Sequence, residues 1–308
     1  MEKEVIQEIG FIGLGRMGFN MVNRLLDHSK IKVTVRNRSE EPMQKLEKKG
    51  AIPSSSLQDL ISKLPERKVI WLMLPSGKIT EDTFQEILSL LNKDDILIDG
   101  ANSNFKDSIR RHKEASKKGI LMLDVGVSGG IVAAERGYAM MAGGSKEAYD
   151  FCLPLFESIC MEKGFKLVGE EPGSGHYVKM IHNAIEYGMM QAIGEGFDLL
   201  KNGRFESLDL EKISNIWNHG TIVSSFLMEM TESALKNNNQ DLSELQPYVD
   251  DSGEGEWSAI EALEQKVPFV VNSYAVHVRR ISRQKGDYSY KLLAAIRNEF
   301  GGHAVKKK

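Results

Sequence analysis

The sequence predicts an α/β protein, with an N-terminal doubly wound parallel sheet joined to a C-terminal all-α domain. Two features carry that expectation. Over residues 9–168, apolar runs alternate with helical patterns, as repeated βα units do. Past the turn-rich Gly169-Glu170-Glu171-Pro172-Gly173-Ser174-Gly175, strand patterns cease and long helical periodicities dominate. These features place one domain over 1–172 and a second over 173–308, and a chain of 308 residues is long enough for two cores.

In the first domain the expected strands are 9–12, 33–35, 69–74, 96–99, 121–125 and 139–142, with helical patterns between them at 16–27, 41–48, 79–90 and 105–117. The second domain reads as helices over about 176–202, 209–217, 220–236, 257–285 and 287–299. Asn237-Asn238-Asn239-Gln240-Asp241 is a polar connector.

Gly13-Leu14-Gly15-Arg16-Met17-Gly18 follows the first expected strand and opens the first helix. In that setting each glycine has a physical task. Gly13 permits the tight turn, Gly15 lets a pyrophosphate reach the backbone, and Gly18 allows close helix–strand packing. Free N–H groups and the dipole at the helix start favour the anion. This marks a Rossmann-type dinucleotide-binding domain. Arg36-Asn37-Arg38-Ser39 stands where NAD-binding chains place the acid that bonds the ribose 2′-hydroxyl. Arg38 can form charge-assisted bonds to a 2′-phosphate, and Asn37 and Ser39 can add neutral ones. NADP is therefore preferred, with NAD as the alternative.

Loops at the carboxyl ends of such strands line the ligand crevice. Met73-Leu74-Pro75-Ser76-Gly77 offers Leu74 and Pro75 to the cofactor. Asn102, in Asp99-Gly100-Ala101-Asn102-Ser103, orients a nicotinamide, binds a sugar hydroxyl, or simply forms the turn. Ser128, Gly129 and Gly130 close Asp124-Val125-Gly126-Val127-Ser128-Gly129-Gly130. A hydroxyl beside close N–H groups suits a carboxylate or phosphate, and a plain connector is the other reading.

Read as a helix, residues 176–188 set Lys179, His182, Asn183 and Glu186 at i, i+3, i+4 and i+7 on one face. Between Val178 and Phe197 the only charged residues are Lys179, Glu186 and Glu195. A helix this apolar is expected to be buried, its polar stripe facing a cleft. A lysine acting as a base must be neutral at working pH, and burial lowers a lysine pKa. The competing reading is a buried ion-pair network.

Composition narrows the function classes. Hydrophobic content of 41% and charged content of 27% fit a soluble globular protein. A net charge of −3 gives no general attraction to nucleic acid or an anionic membrane. Cys152 and Cys160, both placed on one expected helix, form no C-x-x-C pair, and no metal site is expected. Met1-Glu2-Lys3-Glu4 runs into a strand rather than a signal peptide, and no apolar run reaches the roughly 18–20 residues of a membrane span. Lys306-Lys307-Lys308 reads as a basic tail. A cytoplasmic protein with reduced thiols and a small-molecule partner is expected.

In sequence order, the fingerprint, the Ser128-Gly129-Gly130 turn and the Lys179 helix resemble the β-hydroxyacid dehydrogenase superfamily. Three stretches resemble its 6-phosphogluconate dehydrogenase family: Lys179-Met180-Ile181-His182-Asn183-Ala184-Ile185-Glu186-Tyr187-Gly188, Asp251-Ser252-Gly253-Glu254-Gly255-Glu256-Trp257-Ser258-Ala259-Ile260, and Arg297-Asn298-Glu299-Phe300-Gly301-Gly302-His303. The length resembles the short form, which lacks the longer enzymes' second helical repeat.

The resemblance implies oxidative decarboxylation of 6-phospho-D-gluconate to D-ribulose 5-phosphate and CO2, with reduction of NADP or NAD. It implies that Lys179 takes the C3 hydroxyl proton and then polarises the 3-keto group, and that Glu186 protonates C1 of the enediol. His182 and Asn183 would bind oxygens near C2 and C3, Ser128, Gly129 and Gly130 the C1 carboxylate, and Asn102 a sugar hydroxyl. For the phosphate it implies Tyr187, Arg279 with Arg280 and Arg283 beside it, and a tail pair, Arg297 and His303, from a second subunit. A homodimer or homotetramer follows. One position departs: the residue before Trp257 is Glu256 where the family has a basic residue. An acid there must turn to solvent or pair with an arginine. Two other readings stay open, a related dehydrogenase of an unphosphorylated 3-hydroxy acid and a non-catalytic NADP-binding sensor.

Overall fold

The computed structural model describes residues 5–283 and 288–305. The tail Lys306-Lys307-Lys308 and the end of the helix expected over 257–285 lie outside the described residues. Eight strands form one sheet: β1 (Glu8–Ile12), β2 (Lys32–Arg36), β3 (Ile52–Pro53), β4 (Val69–Leu72), β5 (Ile96–Asp99), β6 (Leu121–Ser128), β7 (Tyr138–Gly144) and β8 (Cys160–Gly169). Their order is β3-β2-β1-β4-β5-β6-β7-β8, and every pair is parallel except β6 with β7. The intervening helices are α1 (Arg16–His28), α2 (Glu41–Glu47), α3 (Leu57–Ser62), α4 (Lys78–Leu90), α5 (Phe105–Ser116), α6 (Ala133–Arg136), α7 (Lys146–Phe151) and α8 (Leu153–Ile159).

Alternate residues of the central strands enter two separate cores. Val69 and Trp71 of β4, with Ile96 and Ile98 of β5, pack on the side of α1 and α8. Ile70, Leu72 and Leu97 pack on the side of α3, α4 and α5. Period-2 alternation with both faces apolar is what a doubly wound sheet requires, and it explains why these strands read as unbroken apolar runs.

Several expected boundaries shift for local reasons. β4 stops at Leu72, so Met73 and Leu74 already belong to its loop. β3 holds only two residues, one of them proline, too little to signal a strand. β8 is polar and mostly exposed or half-buried, and Lys163 takes a left-handed φ of 63° within it. Cys160 therefore opens a strand, not the helix expected to hold both cysteines, and α8 lies between it and Cys152.

The remaining helices are α9 (Ser174–Asn202), α10 (Leu210–Asn218), α11 (Phe226–Asn237), α12 (Glu254–Glu264), α13 (Val270–Ser282) and α14 (Tyr288–Gly301). The helix expected over 257–285 is two helices, separated by left-handed Lys266 and by Pro268. The one expected from 220 starts at Phe226, where the Ser225 side chain caps the Met228 N–H. The chain forms two compact units whose sequence boundary falls inside α9, between Lys179 and Met180. Among the described residues no helix is long and apolar enough to cross a membrane.

One buried carboxylate holds the start of α9 to the sheet. Asp124 of β6 accepts hydrogen bonds from Gly173 N–H at 2.9 Å, His176 N–H at 2.8 Å and His112 Nε2 at 3.0 Å. Unpaired N–H groups at a helix start welcome an anion. Burial alone would raise the Asp124 pKa. The His112 hydrogen bond, the charges of both histidines and the His176 N–H outweigh it and hold the carboxyl below its ordinary value. Because the folded-state pKa is depressed, its stabilisation is present above the unfolded value of roughly 3.9 and is lost as pH falls through the folded value. Asp124→Ala should cost about 3–5 kcal/mol in urea unfolding at neutral pH. The gap to the parent chain should narrow in acid, and a gap that does not change with pH would refute this account.

Candidate active site

In the first unit the strand order reverses between β1 and β4, and the turn after β1 and the loop after β4 flank that reversal, where open α/β sheets bind ligands. Gly13 has φ +99°, and a Cβ there would meet Leu74 Cδ2 at 2.8 Å and collide with the Met73 carbonyl. A Cβ on Gly18 would collide with the Gly13 carbonyl. The protein itself therefore excludes side chains at both positions. Gly15, the exposed N-cap of α1, is different: a Cβ there meets nothing within 4 Å. The open space above a helix N-terminus fits a dinucleotide pyrophosphate.

Asn37 ties this turn to the end of β2. Its Oδ1 accepts from Leu14 N–H at 3.0 Å, and its Nδ2 donates to Ser39 Oγ at 2.9 Å. Arg16, Arg38 and Ser39 are exposed, and Met17 is half-buried. Leu74 is half-buried, while the carbonyl of exposed Pro75 accepts from Thr80 Oγ1 at 2.8 Å.

Asn102 has a left-handed φ of 50°, and its amide bonds both backbone groups of Val127, accepting at 2.8 Å and donating at 3.1 Å. It thus continues the pairing of β5 with β6 beyond the strand end. Buried Asp99 and Arg111, 2.7 Å apart, brace the same loop. β6 ends at Ser128, followed by Gly129 and Gly130 with φ of 117° and 58°. Lys179 lies against this strand: it is 5% exposed, and a Cβ on Gly126 would overlap its side chain. Ser128 and the surface supporting Lys179 therefore belong to one strand.

In the second unit α9 continues with His182 and Glu186 half-buried and Asn183 and Tyr187 buried. The sequence implied burial on nearly every face, yet Val178, Ile185 and Met189 are exposed. An apolar stripe left open in one chain is the physical reason for that difference. His182 Nδ1 lies 3.0 Å from Asn183 Oδ1, and Asn183 Nδ2 donates to Glu254 Oε1 at 3.0 Å.

One α9 turn on, the Arg279 guanidinium of α13 stacks over the Tyr187 ring at 3.5 Å. Arg279 Nη1 and Arg297 Nη1 donate to the same carbonyl, that of Asp250, at 3.0 and 2.5 Å. Burial, with the nearby charge of Arg297, pushes Arg279 down to about 10, so it is still cationic at neutral pH. Two buried guanidinium groups converging on one oxygen form a strongly anion-seeking cluster. Arg297 joins it from the same chain, where the resemblance implied a second subunit. His303 is held by Phe300, edge-on, and its carbonyl accepts from Asn298 Nδ2 at 2.9 Å.

The glycines before Trp257 also have visible tasks. Gly253 is left-handed at φ +96°, and a Cβ on Gly255 would press on the Tyr187 ring at 2.7 Å. Glu256 turns to the surface and pairs with Arg280 at 2.8 Å. Sequence reasoning missed Glu254, Gly126 and the Asp250 carbonyl. Only Glu254 left a trace, as an acid opening a helix behind a glycine.

Comparison with known proteins agrees over nearly the whole chain. Residues 8–169 match the NAD binding domain of 6-phosphogluconate dehydrogenase, and residues 175–291 match the C-terminal domain of that enzyme. An NAD(+)-dependent, decarboxylating 6-phosphogluconate dehydrogenase of Haloferax volcanii is 39% identical over 98% of this chain and 99% of its own. The decarboxylating 6-phosphogluconate dehydrogenase 2 of Saccharomyces cerevisiae is 37% identical over 94% of this chain but only 62% of its own length. The solved 6-phosphogluconate dehydrogenase of Plasmodium falciparum, studied with NADP+ and with 6-phosphogluconate, superposes with a TM-score of 0.77 at 30% identity, covering 94% of this chain and 70% of that one. With both domain models matched in order and a full-length relative at this identity, the chain belongs to the 6-phosphogluconate dehydrogenase family.

Proposed function

We propose that this chain oxidatively decarboxylates 6-phospho-D-gluconate to D-ribulose 5-phosphate and CO2, using NADP in preference to NAD. The observation that carries this reading is the Tyr187, Arg279 and Arg297 cluster. A phosphate dianion would use both guanidinium groups, whereas an unphosphorylated 3-hydroxy acid would leave two buried charges without a counter-ion. Glu256, which stands where the family has a basic residue, is paired at the surface with Arg280. A non-catalytic sensor would have no use for Lys179, Asn183 and Glu186 along one helix.

A bound nicotinamide would supply the hydride acceptor for C3. Lys179 takes the C3 hydroxyl proton and, once protonated, donates a hydrogen bond to the 3-keto oxygen, drawing electrons from the C1–C2 bond as the carboxylate leaves as CO2. Glu186 gives a proton to the old C2, the carbon that CO2 has left and that becomes C1 of ribulose 5-phosphate. Ser128 and the N–H groups of Gly129 and Gly130 hold the departing carboxylate, while His182, Asn183 and Asn102 fix hydroxyls. Gly13, Gly15 and Gly18, with Leu14, Arg16, Met17, Leu74 and Pro75, would hold the dinucleotide. Exposed Arg38, supported by Asn37 and Ser39, would take the 2′-phosphate.

We further infer a homo-oligomer, at least a dimer. Leu263 of α12 and Val270, Val271 and Tyr274 of α13 are 60–80% exposed, and Val178, Ile185 and Met189 add an apolar stripe on α9. Patches of this kind usually mark interfaces. A cytoplasmic setting suits Cys152 and Cys160, both buried and unpaired.

Absorbance at the reduced-nicotinamide band with 6-phosphogluconate, with CO2 trapped, should show NADP reduced faster than NAD and one CO2 released per turnover. Lys179→Ala should abolish turnover with NADP binding retained. Turnover of a non-phosphorylated hydroxy acid alone would sink the proposal. Arg279→Ala should raise KM for 6-phosphogluconate about 10- to 100-fold, the worth of a hydrogen bond to a charged group. An unchanged KM would remove Arg279 from the phosphate site. Sedimentation should give a dimer or larger, shifted towards monomer by Val270→Asp, and a monomeric parent chain would refute the oligomer.

A further inference from the structure

Glu254 is the first residue of α12, directly after left-handed Gly253, where the helix N-terminus favours a negative charge. It is only 5% exposed. Oε1 accepts from Asn183 Nδ2 at 3.0 Å, while Oε2 is shut off from solvent without a hydrogen-bond partner. Burying a carboxylate is costly unless something is gained from it. Since Oε2 is closed off, what the side chain does for the site passes through Asn183.

The consequence is a choice of direction. An ionised carboxylate only accepts, so it selects the NH2 end of the Asn183 amide and turns Oδ1 the other way. Oδ1 faces His182 Nδ1 at 3.0 Å. A carbonyl oxygen also only accepts, so Nδ1 must carry the ring proton. A neutral imidazole has one N–H, which makes Nε2 the acceptor.

We propose that Glu254 is a positioning residue: through Asn183 it holds His182 as the Nδ1–H tautomer and presents Nε2 as an acceptor for a substrate hydroxyl. The inference rests on the reading of His182 as a substrate-binding residue. With the tautomer reversed, Nε2–H would face the substrate and the bare Nδ1 would face the amide oxygen, so a hydroxyl donor would find no lone pair.

The test uses the full-length chain labelled with 15N-histidine, with the His182 signals identified by their loss in His182→Gln. At pH 8 the parent chain should show a protonated Nδ1 and a bare Nε2. Glu254→Ala should populate the Nε2–H form and lower kcat/KM for 6-phosphogluconate about 10- to 100-fold, the scale of a small misplacement of a reacting group. Glu254→Gln, whose amide oxygen still accepts from Asn183, should keep the tautomer and most of the activity. Adding Glu254→Ala to Asn183→Ala should cost nothing more, because the two act in series. If the alanine variant fails to fold, Glu254→Met, of similar length and with no strong acceptor, repeats the comparison. Nδ1–H persisting without the acceptor, or full additivity with Asn183→Ala, would overturn the proposal. The tautomer readout needs no turnover, so a chain inactive on 6-phosphogluconate would fail the functional proposal and leave this one to be judged on its spectra.

Discussion

Asp124 is the constraint on which much of the first unit depends. Its carboxylate takes three N–H donors, two from the start of α9 and one from α5, and so fixes a helix to the middle of β6. Close backbone approach completes the joint. Gly143 and Gly175 leave no room for a Cβ on either side, and Gly126 opens a slot that the Lys179 side chain fills. Any larger residue at these positions would lift the helix from the strand. The location of Lys179 is thus a product of one charge and three missing side chains, and the same β6 delivers Ser128 at its end.

The second unit solves a different problem, how to keep cations buried without neutralising them. Arg279 is confined by the Tyr187 face and by the Asp250 carbonyl, which it shares with Arg297. A carbonyl dipole and an aromatic quadrupole offset part of the desolvation cost but leave both full charges in place. A carboxylate in the same position would have quenched them. The acids before and at the start of α12 are directed elsewhere: Asp251 pairs with Arg283 and Glu256 with Arg280. Attraction for an external dianion survives because Asp251 and Glu256 pair with other arginines rather than with Arg279 or Arg297.

What was legible in the sequence follows the range of the forces involved. Central strands were readable because burial on both faces leaves unbroken apolar runs, and the glycine fingerprint because its constraints are local. β3 and β8 were not, since one contains a proline and the other is a polar edge strand whose pairing with β7 is decided by tertiary contact. The break at Lys266 was hidden because apolar periodicity continues across it. In the site, the stripe Lys179, His182, Asn183 and Glu186 came directly from helical spacing. The partners of those residues did not. Asp250 contributes only a backbone oxygen, invisible to any residue pattern, and Gly126 matters only because another segment lies on it.

Glu254 and Glu256 show why residue type alone misleads in this segment. Two positions apart, they look like one acidic run that should repel a phosphate. Their difference comes from helix geometry: as first and third residues of α12 they project about 200° apart around the axis. One therefore points inward to Asn183, and the other outward to solvent and Arg280. The outward acid can change with little effect on the interior, because an exposed pair contributes about 0–1 kcal/mol. The inward acid meets a single amide whose orientation has only two choices, and an ionised carboxylate permits one. A departure from the family pattern at Glu256 is therefore compatible with the proposed reaction, while the residue that constrains the chemistry is the less conspicuous acid beside it.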